Sequence, residues 1–311
     1  MILPKSIWLL LAEKQIITQL KTDISTPIQF STETKLTSEE CTQLVDWIFA
    51  NEKTYPALTS WLDFLRRYRI TFTDIAKGMG RWNDQSSHSL GHDKWAVGWA
   101  SDAMLPLANA LYALKSFECN GTVLECGAFK GSSTACLSLV CEELGFDFDC
   151  ADSFEGLPSG EGHYGKGDFL GTLDEVKNNV ANFGTIERVN FIQGWYSDTL
   201  KVYNKPLALL WIDVDLQEST IDILDNVYDN LLPQAVTFSD GFTEGVDFVD
   251  KQIANTGGEP AGFYRYFVKN KIPYCSAPGG SKGLAMISKC DLPDMDFTVP
   301  PAIISSIIER L

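Results

Sequence analysis

The chain has 311 residues, 45% of them hydrophobic, and a formal net charge of −16. A chain of that length can bury a substantial core, as one large domain with an appendage or as two small domains. The charge argues against nucleic acid and anionic membrane surfaces as partners, since phosphates would be repelled, and leaves a small molecule as the expected substrate.

Eight cysteines, at 41, 119, 126, 136, 141, 150, 275 and 290, include no Cys-x-x-Cys pair, so a structural zinc site is not expected. Several lie in apolar runs, where a free thiol behaves as a small hydrophobe. A reduced, cytoplasmic protein is the expectation. The amino-terminal run Met-Ile-Leu-Pro-Lys-Ser-Ile-Trp-Leu-Leu-Leu-Ala is too short to span a bilayer and lacks a small-residue cleavage site. It reads as a helix packed on the core or joining two copies in a dimer.

Residues 1–117 carry helical periodicity and form an expected N-terminal lid, substrate or dimerisation segment. Thr37 and Glu40 make a capping box before a helix over 41–51. Tyr55-Pro56 opens another helix, with Trp61, Phe64, Leu65 and Tyr68 on one face. Ser101 is placed to cap a third over 102–117. Six of the eight tryptophans (8, 47, 61, 82, 95 and 99) fall here, as packing against a sheet or as pocket lining. The stretch 78–93 reads as a loop that orders over substrate. Its His88 and His92, with Asp84 and Asp93, have helical zinc spacing, but Gly91 and the serines argue against the helix.

From residue 118 strand-like and helix-like runs alternate, which predicts a mostly parallel sheet with helices on both faces. Strands are expected over 122–125, 146–151, 188–193, 207–212, 235–238, 272–275 and 283–288. Helices are expected over 132–144, after the capping box Thr172-x-x-Glu175, and over 216–232. The first strand runs into Glu125-Cys126-Gly127 and then Gly131-Ser132. This strand, acid, glycine turn and helix presents a nucleotide-like ligand at the carboxyl end of a strand. The pattern is not the Gly-x-Gly-x-x-Gly of dinucleotide binders. An acid at the turn would repel a pyrophosphate but suits a cofactor bearing an amino group and a sulfonium, which is S-adenosylmethionine.

Active groups in such sheets lie just past the carboxyl ends of the strands. The ends read Glu125-Cys126-Gly127, Asp152-Ser153, Gly194-Trp195, Asp213-Val214-Asp215 and Ser239-Asp240-Gly241, so four of five carry an acid. Like charges crowded on one edge destabilise unless something binds among them. Asp152 is placed to meet ribose hydroxyls. Asp213 and Asp240, near the sheet centre, would face the reacting group, and their hard oxygens suit magnesium or calcium. The glycine-rich stretch 156–171, with His163, Tyr164 and Lys166, reads as a surface loop or as a lid. Trp195 reads as core or as an adenine platform.

These residues give the chain a resemblance to class I S-adenosylmethionine-dependent methyltransferases, and within them to the macrocin O-methyltransferase family. The segments that carry it are Leu124-Glu125-Cys126-Gly127, Asp152-Ser153-Phe154-Glu155-Gly156-Leu157-Pro158, Gly194-Trp195 with Asp198-Thr199-Leu200, and Ile212-Asp213-Val214-Asp215-Leu216-Gln217-Glu218-Ser219-Thr220. They cover roughly residues 120–245. The resemblance implies a Rossmann-like seven-stranded α/β sheet over 118–292, with a tail over 293–311. It implies a cofactor site drawn from Glu125, Gly127, Gly131, Ser132, Asp152, Ser153, Gly194, Trp195 and Asp213. It also implies magnesium held by Asp213 and by a pair of aspartates after the fifth strand, here Asp240-Gly241. The second of that pair is absent, and Gln217 stands where an aromatic is usual. Glu218, Glu244 or water are the candidates for the missing oxygen. The expected activity is metal-assisted O-methylation of a natural-product hydroxyl, with Asp213 as base and metal ligand and Asp240 as second ligand. The alternatives are metal-independent methylation of a phenol or carboxylate, and a non-catalytic cofactor-binding member.

Overall fold

The computed structural model describes residues 95–116, 118–162, 164–242, 257–278 and 284–289, with isolated positions between 46 and 67. The amino-terminal run, most of the two helices expected before residue 70, the loop 78–93 with its histidines, His163, Glu244 and the tail lie outside the described residues. So do Cys41 and Cys290.

In chain order the elements are α1 (Trp95–Ser116), β1 (Thr122–Cys126), α2 (Ser132–Leu144), β2 (Phe148–Asp152), α3 (Leu173–Phe183), β3 (Val189–Gln193) and α4 (Tyr196–Thr199). There follow β4 (Leu207–Ile212), α5 (Gln217–Val227), β5 (Leu231–Ser239), α6 (Gly258–Phe263), β6 (Cys275–Pro278) and β7 (Ala285–Ser288). They build one seven-stranded sheet in the order β3-β2-β1-β4-β5-β7-β6. Every pairing from β3 to β5 is parallel, and β7 runs antiparallel to both β5 and β6.

The sequence reading of an α/β sheet of seven strands therefore holds. β1 and β4 are buried along their whole length, as expected for central parallel strands covered on both faces. One face packs Leu124, Leu210, Ile212, Ile223, Leu224, Phe263 and Phe267 into a continuous core. Thr172 caps α3 as its capping box predicts, its hydroxyl accepting the Glu175 N–H at 3.3 Å.

Several element boundaries differ from the sequence reading. α1 begins at Trp95, so Ser101 lies inside the helix and does not cap it. The helix expected over 216–232 ends at Val227, and a 3₁₀ turn (Tyr228–Asn230) hands the chain to β5 at Leu231. The strand expected over 272–275 is displaced to Cys275–Pro278, where it pairs with β7.

The chain runs outward from β1 to β2 and β3, then returns to the other side of β1 as β4. Such a reversal of strand order leaves a crevice past the carboxyl ends of the two strands, the usual ligand position in open α/β sheets. Glu125 pairs in register with Trp211 and Cys126 with Ile212, so Glu125 and Asp213 emerge on the two sides of that crevice.

Candidate active site

The turn after β1 is packed against the end of β4 with no space to spare. The Asp213 N–H donates to the Cys126 carbonyl at 3.0 Å. Gly127 has φ +99°, and a Cβ there would lie 1.8 Å from the Asp213 carbonyl oxygen. Only glycine meets both conditions. Gly131, also left-handed at φ +86°, precedes α2, whose first residue is Ser132.

Glu125 is fully buried at the end of β1, and neither carboxylate oxygen has a hydrogen-bond partner. Ser133, Thr134 and Cys150 lie near enough to favour its charged form, but none makes a geometrically sound bond to it. Burial dominates and pushes its pKa up to about 7. A buried, unpartnered carboxyl is costly in a folded protein and is the mark of a group kept for a ligand.

Asp152 ends β2 and ties the neighbouring turns together. Its Oδ2 accepts the Ala128 N–H at 2.8 Å, and its Oδ1 accepts the Phe154 N–H at 2.7 Å. Ser153 donates to the Gly156 carbonyl at 3.2 Å and accepts the Glu155 N–H at 3.1 Å. The Gly194 N–H donates to the Asp152 carbonyl at 2.9 Å, which locks the β3 end beside β2. Trp195 is half-buried and lies outside the buried core.

The ends of β4 and β5 bring acids together. Carboxylate oxygens of Asp213, Asp240 and Glu259 all lie within 4.8 Å of one another. Burial, then Asp240, Glu259 and Asp215, hold Asp213 well above the ordinary carboxylate range. Burial and Asp240 likewise raise Glu259. Glu259 Oε1 accepts the backbone N–H groups of Val214 at 2.5 Å and Asp215 at 3.1 Å, and Oε2 accepts the Ser239 hydroxyl. Three hard carboxylates at this separation are a donor set for magnesium or calcium rather than for a soft metal. Asp215 has φ +61°, and Phe129 and Phe154 after β1 and β2 are also left-handed. Non-glycine residues in that region carry backbone strain, which concentrates at functional edges.

The 156–171 stretch folds onto this edge. Leu157 ties its two sides together, its N–H donating to the Asp168 carbonyl and its carbonyl accepting the Gly167 N–H, each at 2.9 Å. Phe169 packs edge-on against Phe129 at 5.6 Å and against Tyr164 at 5.5 Å. Glu161 accepts the Gly258 N–H at 2.6 Å and the Gln217 N–H at 3.1 Å, joining the loop to the starts of α5 and α6. Tyr164 is hydrogen-bonded to Asp215, and burial with the surrounding acids raises its phenol pKa.

A family model described as macrocin-O-methyltransferase (TylF) matches residues 51–246. The chain belongs to the macrocin O-methyltransferase family. The match reaches well amino-terminal to the motif-bearing segments near residue 120. Among curated relatives, a rhamnosyl-tetracenomycin-C 4′-O-methyltransferase of Streptomyces olivaceus is 28% identical over 178 residues, 51% of this chain and 68% of that protein. Demethyldecarbamoylnovobiocin O-methyltransferase of Streptomyces niveus is 40% identical over 92 residues, 25% of this chain and 35% of that one. The solved structure of the O-methyltransferase NovP shares the fold, with a TM-score of 0.50 and 21% identity over 60% of this chain and 79% of that one. The protein is thus an S-adenosylmethionine-dependent methyltransferase. No helix among the described residues is long and apolar enough to cross a membrane.

Within this macrocin O-methyltransferase family member, the acid that sequence reasoning missed is Glu259. It follows two glycines and precedes Pro260, a run that reads as a turn and hides the start of α6. Glu218, one candidate for the missing oxygen, is instead exposed and bonded to Arg265 at 2.5 Å.

Proposed function

We propose that this methyltransferase moves the methyl group of S-adenosylmethionine to a hydroxyl of a natural-product acceptor, sugar or aglycone. The observation that carries the proposal is Glu125, a buried carboxyl with both oxygens unpartnered, at the turn where the cofactor's amino group would sit. The names of the curated relatives, O-methyltransferases on rhamnosyl-tetracenomycin and novobiocin precursors, support the acceptor class.

In this reading Glu125 receives the ammonium of the cofactor's methionine part. Gly127, Gly131 and Ser132 shape the wall beside it. Asp152, with Ser153, holds the ribose while bracing the Ala128 and Phe154 backbone. Gly194 and Trp195 border the adenine. The acceptor oxygen attacks the methyl carbon in line with the sulfur. The O–C bond forms as the C–S bond breaks, and S-adenosylhomocysteine leaves. Alignment of the two reactants supplies roughly 7–11 kcal/mol of barrier lowering in good cases. The hydroxyl proton passes to Asp213, the carboxylate that stands at the end of β4 beside Asp240 and Glu259. Asp213 and Asp240 would also hold a divalent cation, which when bound lowers the pKa of a coordinated hydroxyl.

The test is methyl transfer from labelled S-adenosylmethionine to glycosylated polyketides, with free phenols as comparison. Asp213→Asn is expected to keep cofactor affinity and lose turnover by about 10²–10⁴-fold, the scale of a missing general base. Normal turnover in that variant would refute the role given to Asp213.

A further inference from the structure

The acidic cluster is assembled from three separate elements. Asp213 follows β4, Asp240 follows β5, and Glu259 is the second residue of α6, about twenty residues beyond β5. Glu259 is 1% exposed. Its carboxylate accepts bonds from Val214 N–H, Asp215 N–H and the Ser239 hydroxyl. A carboxylate offers about four lone-pair sites, so three bonds leave acceptor capacity, and it is directed toward Asp213 and Asp240.

Gly241 explains how this acid reaches the edge. A Cβ built on Gly241 would lie 3.3 Å from the Glu259 Cβ, 3.4 Å from its Oε2 and 3.5 Å from the Pro260 Cδ. A side chain at 241 would therefore start in contact with Glu259 and Pro260. The backbone at 241 is not left-handed, so glycine is not needed there for its dihedrals.

We propose that Glu259 is the third ligand of the divalent cation held by Asp213 and Asp240, supplying the carboxylate that Gly241 cannot. The inference rests on the metal-assisted reading of the site. The two positions become alternative sources of one carboxylate. Position 241 lies against Glu259, so an acid at either position is near enough to complete the edge. The same three bonds that aim Glu259 also hold the β4 and β5 ends and the start of α6 together, so cation binding and the shape of the edge are linked.

The experiment is titration of the full chain with Mn²⁺, followed by electron paramagnetic resonance, in the presence of S-adenosylhomocysteine. Wild type is expected to bind one ion. Asp213→Asn is expected to abolish that binding. Glu259→Gln keeps an oxygen for the Val214 and Asp215 N–H groups and an amide toward Ser239, so its melting temperature and S-adenosylhomocysteine affinity stay at wild-type levels. Its Mn²⁺ affinity is expected to fall by roughly 10-fold or more, a loss that even outer-shell substitutions reach. The double variant Gly241→Asp, Glu259→Ala is expected to recover most of that affinity. Wild-type Mn²⁺ affinity in Glu259→Gln, with binding lost in Asp213→Asn, would overturn the proposal and leave the metal-assisted reading standing. A double variant that binds S-adenosylhomocysteine but not Mn²⁺ would overturn the claim that 241 and 259 are alternative sources of that carboxylate. Absence of Mn²⁺ binding by wild type would remove the metal-assisted reading and this proposal with it.

Discussion

At the scale of one residue, the proposed cofactor site turns on Glu125. Its carboxyl is buried without a partner, and that burial raises its pKa to about 7. A cofactor ammonium would supply the missing donor. Glu125→Gln keeps the shape and removes the charge, so S-adenosylmethionine affinity should fall by about 10-fold or more, the worth of a hydrogen bond to a charged group. Calorimetric titration of the variant measures this. The pH dependence has a definite sign. The folded protein holds the Glu125 proton more tightly than the unfolded chain, whose carboxyl has the ordinary value of 4.5. Stability from this group is present at low pH and is lost as pH rises through about 7. The melting temperature of cofactor-free Glu125→Gln, relative to wild type, should therefore rise from about pH 5 to about pH 8. A constant difference would contradict the burial argument.

Elements fix where these residues stand. The first strand, its glycine turn and its helix were readable from the apolar run, Glu125, Gly127 and the start of α2. The reason for Gly127 was not readable, because it lies in a contact with Asp213 some 86 residues further along the chain. Gly127→Ala would place a Cβ inside the Asp213 carbonyl. It should therefore separate the β1 and β4 ends, with loss of cofactor binding and a large drop in melting temperature. Thr172→Ala offers a contrast. It removes only the α3 cap, at a cost of about 1 kcal/mol, and should lower the melting temperature by a few degrees with cofactor affinity unchanged. Scanning calorimetry separates the two outcomes. α6 was the element least legible in the sequence. Gly257, Gly258 and Pro260 are turn-forming residues, and a six-residue helix leaves too little periodicity to detect. Glu259 was hidden with it. The loop over 156–171 was legible as glycine-rich, but its anchoring by Glu161 to the starts of α5 and α6 depends on long-range contacts.

The whole molecule places the chemistry by its topology. The return of the chain from β3 to β4 sets Glu125 and Asp213 across one crevice, with Asp152 and Asp240 on the flanking strands. The alternation of strands and helices made a mostly parallel sheet expected, and the acids at four strand ends pointed to their carboxyl edge as the candidate site. The departure from a parallel sheet at β7 was not visible, since strand direction at the far edge is decided by pairing with β5. The macrocin O-methyltransferase family match spans residues 51–246, which include the carboxyl ends of β1 to β5. The central claim is that this edge binds S-adenosylmethionine. The measurement that tests it most directly is calorimetric titration of the folded wild-type chain with that cofactor. One site of micromolar affinity is the expected result. A folded protein that takes up no S-adenosylmethionine would contradict it.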